Sequence, residues 1–223
     1  MNTLDVEARI KTLEAQVRTL QDTLEIERLQ RSYGYYLEHW MPQEMIDLFS
    51  DHPDVVMDLP EGKYLKKEGV RRLFEGVPCN NPEFLHQVMM LSPVVDIDSN
   101  GKDAKGRWYC FGAVSIPQSK GVTQSFVSGT YENEYIKENG KWKIKKVKWH
   151  INYHAKPDEG WVKPGHAVPR DLNEIFAGPK PDIPANRFSM EYPSGYIFPF
   201  HFKHPVTGGK TTEGQRNSSL GYT

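Results

Sequence analysis

The sequence predicts an α+β fold, with helices first and one curved antiparallel sheet after them. Three observations carry that prediction. The N-terminal segment repeats apolar side chains at alternating steps of three and four, as a long helix does. From Phe84 to His154 run four long segments rich in β-branched and aromatic residues. Short turn signals, "SNGKD", "PQSKG" and "ENGK", separate those segments, so the strands form a meander. Helices that precede strands, instead of alternating with them, define α+β. A meander of this kind buries one face, and the helices are expected to fill its concave side.

The elements follow in order. Ile10, Leu13, Val17, Leu20 and Leu24 have the a/d spacing of a coiled-coil seam, continued by Ile26, Leu29 and Tyr33. This predicts one helix from about Val6 to about His39, which Pro42 prevents from continuing. Its first half is expected to pack on a partner chain or on the protein's own tail, its second half in the core. "PQEMIDLF" predicts a second short helix, "DVVMDL" a strand and "KKEGVRRLFEGV" a third helix. In the last long strand, "KIKKVKW" changes apolar phase around Lys145 and Lys146, as a bulge would. Either Val147 and Trp149 or Lys148 and His150 then face inward.

Beyond His154 the composition changes. Nine of the 16 prolines fall between Pro157 and Pro205, interleaved with aromatic residues. Prolines argue against a second independent sheet domain, and aromatics argue against disorder. The expected organisation is a domain over 1–154 and an ordered, extended C-terminal arm over 155–223 that wraps the fold or a neighbouring subunit. The last dozen residues are expected to be loose.

Composition narrows the function. With 28 basic and 29 acidic residues, net charge -1, no basic arm suits nucleic acid or an anionic membrane. Two cysteines, Cys79 and Cys110, are too few for a disulfide framework, and the N-terminus is heptad-like instead of signal-like. A cytoplasmic protein is expected. Neither a dinucleotide fingerprint nor a phosphate loop is found. His201 and His204 lie three apart in "HFKHP" without a cysteine or a helical histidine pair, so no metal is expected. The chemistry is expected to need no cofactor.

The ordered set "LQRSYGYYLEHWMPQEMIDLF", "GVRRLFEG", "LHQVMM", "GTYENEY" and "GKWKIKKVKW" resembles the nuclear-transport-factor-2-like superfamily in its SnoaL-like branch, over Leu24 to His154. The resemblance implies a cone-shaped α+β barrel whose curved sheet wraps the helices around a pocket. Its members include scytalone and bile-acid dehydratases, isomerases, cyclases, a dehydrochlorinase and diarylpropane and phenylcoumaran lyases, and also proteins without catalysis. The branch's helix tyrosine, acidic residue five positions on, and strand-opening histidine match Tyr33, Glu38 and His86. Glutamate replaces the usual aspartate at Glu38. Tyr109 and Trp149 stand where bile-acid dehydratases have an acid and an arginine.

These matches give the candidate site. His86 is the expected general base and Glu38 its orienting carboxylate, with Tyr33 and Tyr109 as acid or oxyanion donors. Tyr36, Trp40, Tyr131, Trp149, His150 and Arg107 are the expected substrate contacts. Bland alternatives stand beside each. Tyr33 and Tyr36 could be aromatic packing, Tyr109 an outer interface residue, Glu38 an exposed helix-end residue, 140° around the helix from Tyr33. The expected activity is a cofactor-independent lyase that eliminates water or formaldehyde from a hydroxylated aromatic or polycyclic compound, such as a lignin-derived diaryl. The alternatives are an isomerase or cyclase, or a non-catalytic binding module. A homodimer is expected.

Overall fold

The computed structural model describes residues 3–77, 82–118, 121–158, 160, 179–185 and 196–221. Helix α1 spans Thr3–Glu38, α2 Pro42–Asp47 and α3 Lys66–Gly76. Strands β1 (Val56–Leu59) and β2 (Gly62–Leu65) form a hairpin between α2 and α3. The meander is β3 (Leu85–Ile97), β4 (Asp103–Gln118), β5 (Gly121–Glu138) and β6 (Lys141–Ala155). A short β7, Ile183–Pro184, pairs with β2, and α4 spans Glu213–Ser219. Together the strands form a seven-stranded sheet in the order β3-β4-β5-β6-β1-β2-β7. The meander is antiparallel throughout; β1 joins β6 in parallel, Met57 opposite Val147.

Helix α1 enters this sheet by its second half. Asp22, Ile26, Gln30, Tyr33 and Leu37 recur at steps of three and four, and all are buried. Two polar members of the stripe are paired. Asp22 accepts hydrogen bonds from Lys137 Nζ and Trp142 Nε1, tying the helix to β5 and β6. Gln30 Oε1 accepts from Asn133 Nδ2 (2.9 Å) and from the Tyr135 hydroxyl (2.8 Å), which itself accepts from Trp108 Nε1 at 3.0 Å. Every contact in that cluster is deep in the core, where an unmade hydrogen bond would be costly.

Side-chain alternation sorts the sheet into two faces. Trp108, Tyr131 and Trp149 lie opposite one another across β4, β5 and β6 and face the helices. Cys110, Gly129 and Ile151 make the next row, and Gly112, Val127 and His154 the one after. The register of β6 against β5 skips Lys145, where "KIKKVKW" changes phase. The skip puts Val147 and Trp149 inside and Lys148 and His150 outside.

Part of the outer face is covered by the described part of the C-terminal segment. Arg107 Nη1 bonds Glu132 Oε2 at 2.8 Å, and the same guanidinium donates to the carbonyls of Pro199 and Phe198 at 2.8 and 2.9 Å. Its charge lies 4.3 Å from the Phe200 ring centre. His150 stacks on Phe198 with ring centres 4.9 Å apart, and Lys148 lies 4.8 Å from the same ring. His201 lies against Glu132 and Asp96.

Two sequence expectations are corrected. The last residues are not loose up to Gly221: they form α4, whose buried Asn217 bonds the backbone of Ile197 in both directions. The hairpin strand β2 was not predicted, because "GKYL" is too short to alternate visibly. The apolar seam on the first half of α1 is exposed among the described residues. The prolines and aromatics at 161–178 and 186–195 lie outside the described residues.

Candidate active site

The end of α1 and the start of β3 place an imidazole inside the cone. Trp40, just after the helix, adopts φ 44°, a left-handed conformation that a bulky residue rarely takes. The turn swings its indole inward, where Nε1 donates to the Phe74 carbonyl at 2.9 Å. The indole packs edge-on against Phe74, Phe84 and His86, with centres 5.8, 5.6 and 5.8 Å apart. Phe84 also stacks on His86 at 6.4 Å, so the three rings form a triangle.

His86 keeps some exposure as a residue, but its Nδ1 is buried and has no hydrogen-bond partner among the described residues. Burial penalises the imidazolium and pulls the His86 pKa from 6.5 to about 4. A second inward histidine, His154 on β6, is also lowered by burial, and its charge would depress His86 further. Both are therefore neutral at pH 7. The sequence reading missed His154, whose inward direction depends on the register shift between Ser128 and Gly129 on β5. No sequence signal marks that shift.

Deeper in the cone sits an aromatic floor. Tyr33 packs edge-on against Phe49, Phe74 and Tyr131, each with centres 6.4 Å apart. Tyr131 stacks on Trp149 at 6.1 Å, and Trp149 Nε1 points at Cys110 Sγ, 3.1 Å away. A Cβ at Gly129 would come within 2.3 Å of that indole nitrogen, so the glycine makes room for the Trp149 ring. Burial raises the pKa values of Tyr33 and Tyr131, and that of Cys110 to about 12, so all three keep their protons. No hydrogen bond to the Tyr33 or Tyr131 hydroxyl is found among the described residues.

Several predicted site residues do not belong to this interior. Glu38 does not meet His86. His86 and Gln87 are consecutive on a strand and point to opposite faces, and it is Gln87 that reaches Glu38, at 3.5 Å. Glu38 instead lines a surface groove of about 370 Å³ with Arg31, Gly34, Tyr35 and Met89. Tyr109 is 51% exposed, because Trp108 and Cys110 take the inner face of β4. Arg107 and His150 are buried under the C-terminal segment on the outer face, which makes them anchors of that segment instead of cone contacts. Tyr36 is half-buried against the core. The interior brings together His86, Trp40, Tyr33, Tyr131 and Trp149, with His154, Phe84 and Cys110 added. Among the described residues no cluster of three or more histidine, cysteine or acidic groups could hold a metal ion.

Helices enclosed by a conical antiparallel sheet, with ionisable and aromatic groups turned inward, define an NTF2-like cone protein. More closely, the chain belongs to the family of SnoaL-like domains, whose family model matches residues 18–148. Among solved structures, a candidate scytalone dehydratase from Novosphingobium aromaticivorans is 17% identical with TM-score 0.53, covering 70% of this chain and 99% of the other. A type 2 hexachlorocyclohexane dehydrochlorinase (LinA) is 18% identical with TM-score 0.52, covering 69% and 97%. The type 3 enzyme from Novosphingobium barchaimii is 19% identical with TM-score 0.51, covering 69% and 99%. At these identities the likeness is one of fold. The search of curated proteins found no match. No helix among the described residues is long and apolar enough to cross a membrane.

Proposed function

We propose that the chain is a cofactor-independent enzyme acting on a small apolar molecule inside the cone, and that it is a lyase. The observation that carries this reading is the buried, unpartnered Nδ1 of His86 within an aromatic cage. A buried polar atom without a partner costs free energy, and a ligand that supplies the partner recovers it. A neutral imidazole can accept a proton at any pH above about 4. Its weak basicity rises once a developing oxyanion or leaving group lies beside the imidazolium. Tyr33 and Tyr131 keep their phenolic protons and act as donors to a leaving oxygen or to an enolate. The residues around them carry no formal charge, which favours an aromatic or polycyclic substrate with hydroxyl groups over an anionic one. Elimination is also the reaction class for which two of the chain's fold neighbours, a candidate dehydratase and a dehydrochlorinase, are named.

In this scheme His86 works without a carboxylate. Its orienting contacts are the Trp40 and Phe84 rings, and His154 is the nearby group that accepts or returns a proton. The test is incubation with hydroxylated diaryl, naphthol and steroid compounds, followed by mass. A product lighter by water or formaldehyde supports the lyase; a product of unchanged mass would show an isomerase or cyclase. His86→Gln should lower kcat by about 10²- to 10⁴-fold with the fold intact. Unchanged turnover in that variant sinks the assignment, and turnover of nothing in the panel favours a binding module.

A further inference from the structure

The first half of α1 carries an apolar seam that nothing among the described residues covers. Ile10, Leu13, Val17, Leu20 and Leu24 are each 50–65% exposed. At about 100° per residue, the seam lies roughly 180° around the helix from Asp22 and Ile26, which face the sheet. The cone to which α1 belongs is therefore on the wrong side to cover it. The described C-terminal residues are engaged elsewhere, on the outer face of the sheet.

The residue types in the seam select its occupant. With Ile10 at heptad position a, the a positions hold Ile10, Val17 and Leu24, and the d positions Val6, Leu13 and Leu20. β-Branched residues at a with leucine at d favour two parallel strands over three or four. The flanking charges agree on direction. In a parallel pair Arg9, at g, meets Glu14, at e of the following heptad on the other helix. In an antiparallel pair g faces g and e faces e. Those rows hold Arg9, Gln16 and Thr23 or Glu7, Glu14 and Gln21, so no opposite charges meet. The seam also has a built-in end. The next d position is Glu27, which pairs with Arg31 of its own helix and would set like charges face to face in a dimer.

We infer that a second copy of this chain docks on α1 in parallel, as a two-stranded coiled coil from Val6 to Leu24. The two cones then hang from the same end of the coil, each keeping its own interior. The coil stops where α1 begins to bury residues in the cone, so dimer formation does not compete with the core.

The test is sedimentation equilibrium on the full chain and on Leu13→Glu/Leu20→Glu. Both leucines are exposed in the single chain, so the substitutions leave the cone alone. The expected result is a wild type at twice the 25.7 kDa chain mass and a variant at that mass, with the variant's cone keeping its near-ultraviolet circular dichroism. A second readout fixes direction: Val6→Cys in a Cys79→Ser background should form a disulfide dimer on mild oxidation, as parallel helices require. A monomeric wild type at tens of micromolar overturns the inference, and a dimer that survives both glutamates shows another interface. Dimers without the Val6→Cys crosslink overturn the parallel arrangement. A variant that loses its near-ultraviolet signal would show instead that the seam packs on the protein's own chain.

Discussion

Replacing His86 by phenylalanine should change how stability depends on pH, in a direction fixed by burial. The folded-state pKa of His86 is about 4 against 6.5 for the free side chain. Above pH 6.5 the imidazole is neutral in both states and contributes no pH dependence. As pH falls below 6.5 the unfolded chain takes up a proton that the folded chain refuses, so stability drops until about pH 4. Linkage puts the loss at about 1.4 kcal/mol at pH 5.5 and about 2.5 kcal/mol at pH 4.5, relative to pH 7.5. A second group opposes it. Burial pushes the Glu61 pKa from 4.5 to about 7, so the folded state gains protons first and is stabilised as pH falls from about 7 to 4.5. That gain is about 3 kcal/mol, and the two slopes nearly cancel in the wild type.

The difference between proteins is therefore the measurement. Urea unfolding at pH 7.5, 5.5 and 4.5 should show His86→Phe gaining on the wild type by about 2.5 kcal/mol across the range. Glu61→Gln should show the reverse, a steeper acid loss. His154, also lowered by burial, leaves some acid sensitivity in the His86 variant. Parallel curves for wild type and His86→Phe would mean that the imidazole is solvated, and the argument for an enclosed base would fall with it.

Three further outcomes follow from the same contacts. Arg107→Leu removes one member of a largely buried ion pair and two hydrogen bonds to the C-terminal segment; a loss of about 3 kcal/mol is expected, with faster proteolysis between 196 and 221 than in wild type. Tyr135→Phe leaves the Trp108 indole without its acceptor and should cost about 1–3 kcal/mol by thermal or urea unfolding, without affecting any turnover. Gly129→Ala drives a methyl against the Trp149 indole and should lower both melting temperature and ligand binding, read by calorimetry and by tryptophan fluorescence.

The helices and the meander were legible because each has a contrast along its length. The stripe Asp22–Ile26–Gln30–Tyr33–Leu37 alternates with exposed residues, and helical geometry separates inward Tyr33 from outward Tyr35, which is 68% exposed. The phase of β4 was not legible for the opposite reason. Arg107, Tyr109 and Phe111 lie on one face and Trp108, Cys110 and Gly112 on the other, and each set contains aromatics. The helices cover one face and the C-terminal segment packs on part of the other, so burial leaves no simple polar–apolar alternation to read. Glu38 failed differently. Its position along the chain suits a partner of His86, but a one-residue parity on β3 hands it Gln87. Parity of that kind is set by pairing across the whole sheet, which no local pattern encodes.

The cover on the outer face has a consequence for how the protein is made. Residues 196–221 are synthesised after the whole meander, so for a time the sheet exists with that face bare. A face destined for burial would ordinarily be apolar, and a bare apolar sheet invites aggregation. Here the waiting face offers Arg107, Glu132, Thr130, Lys148 and His150, groups that water can satisfy until the late segment arrives with Phe198 and Phe200. The apolar part of the contact is carried by the segment that comes last. Over this part of the sheet, the late segment brings the aromatic groups and the waiting strands bring the polar ones.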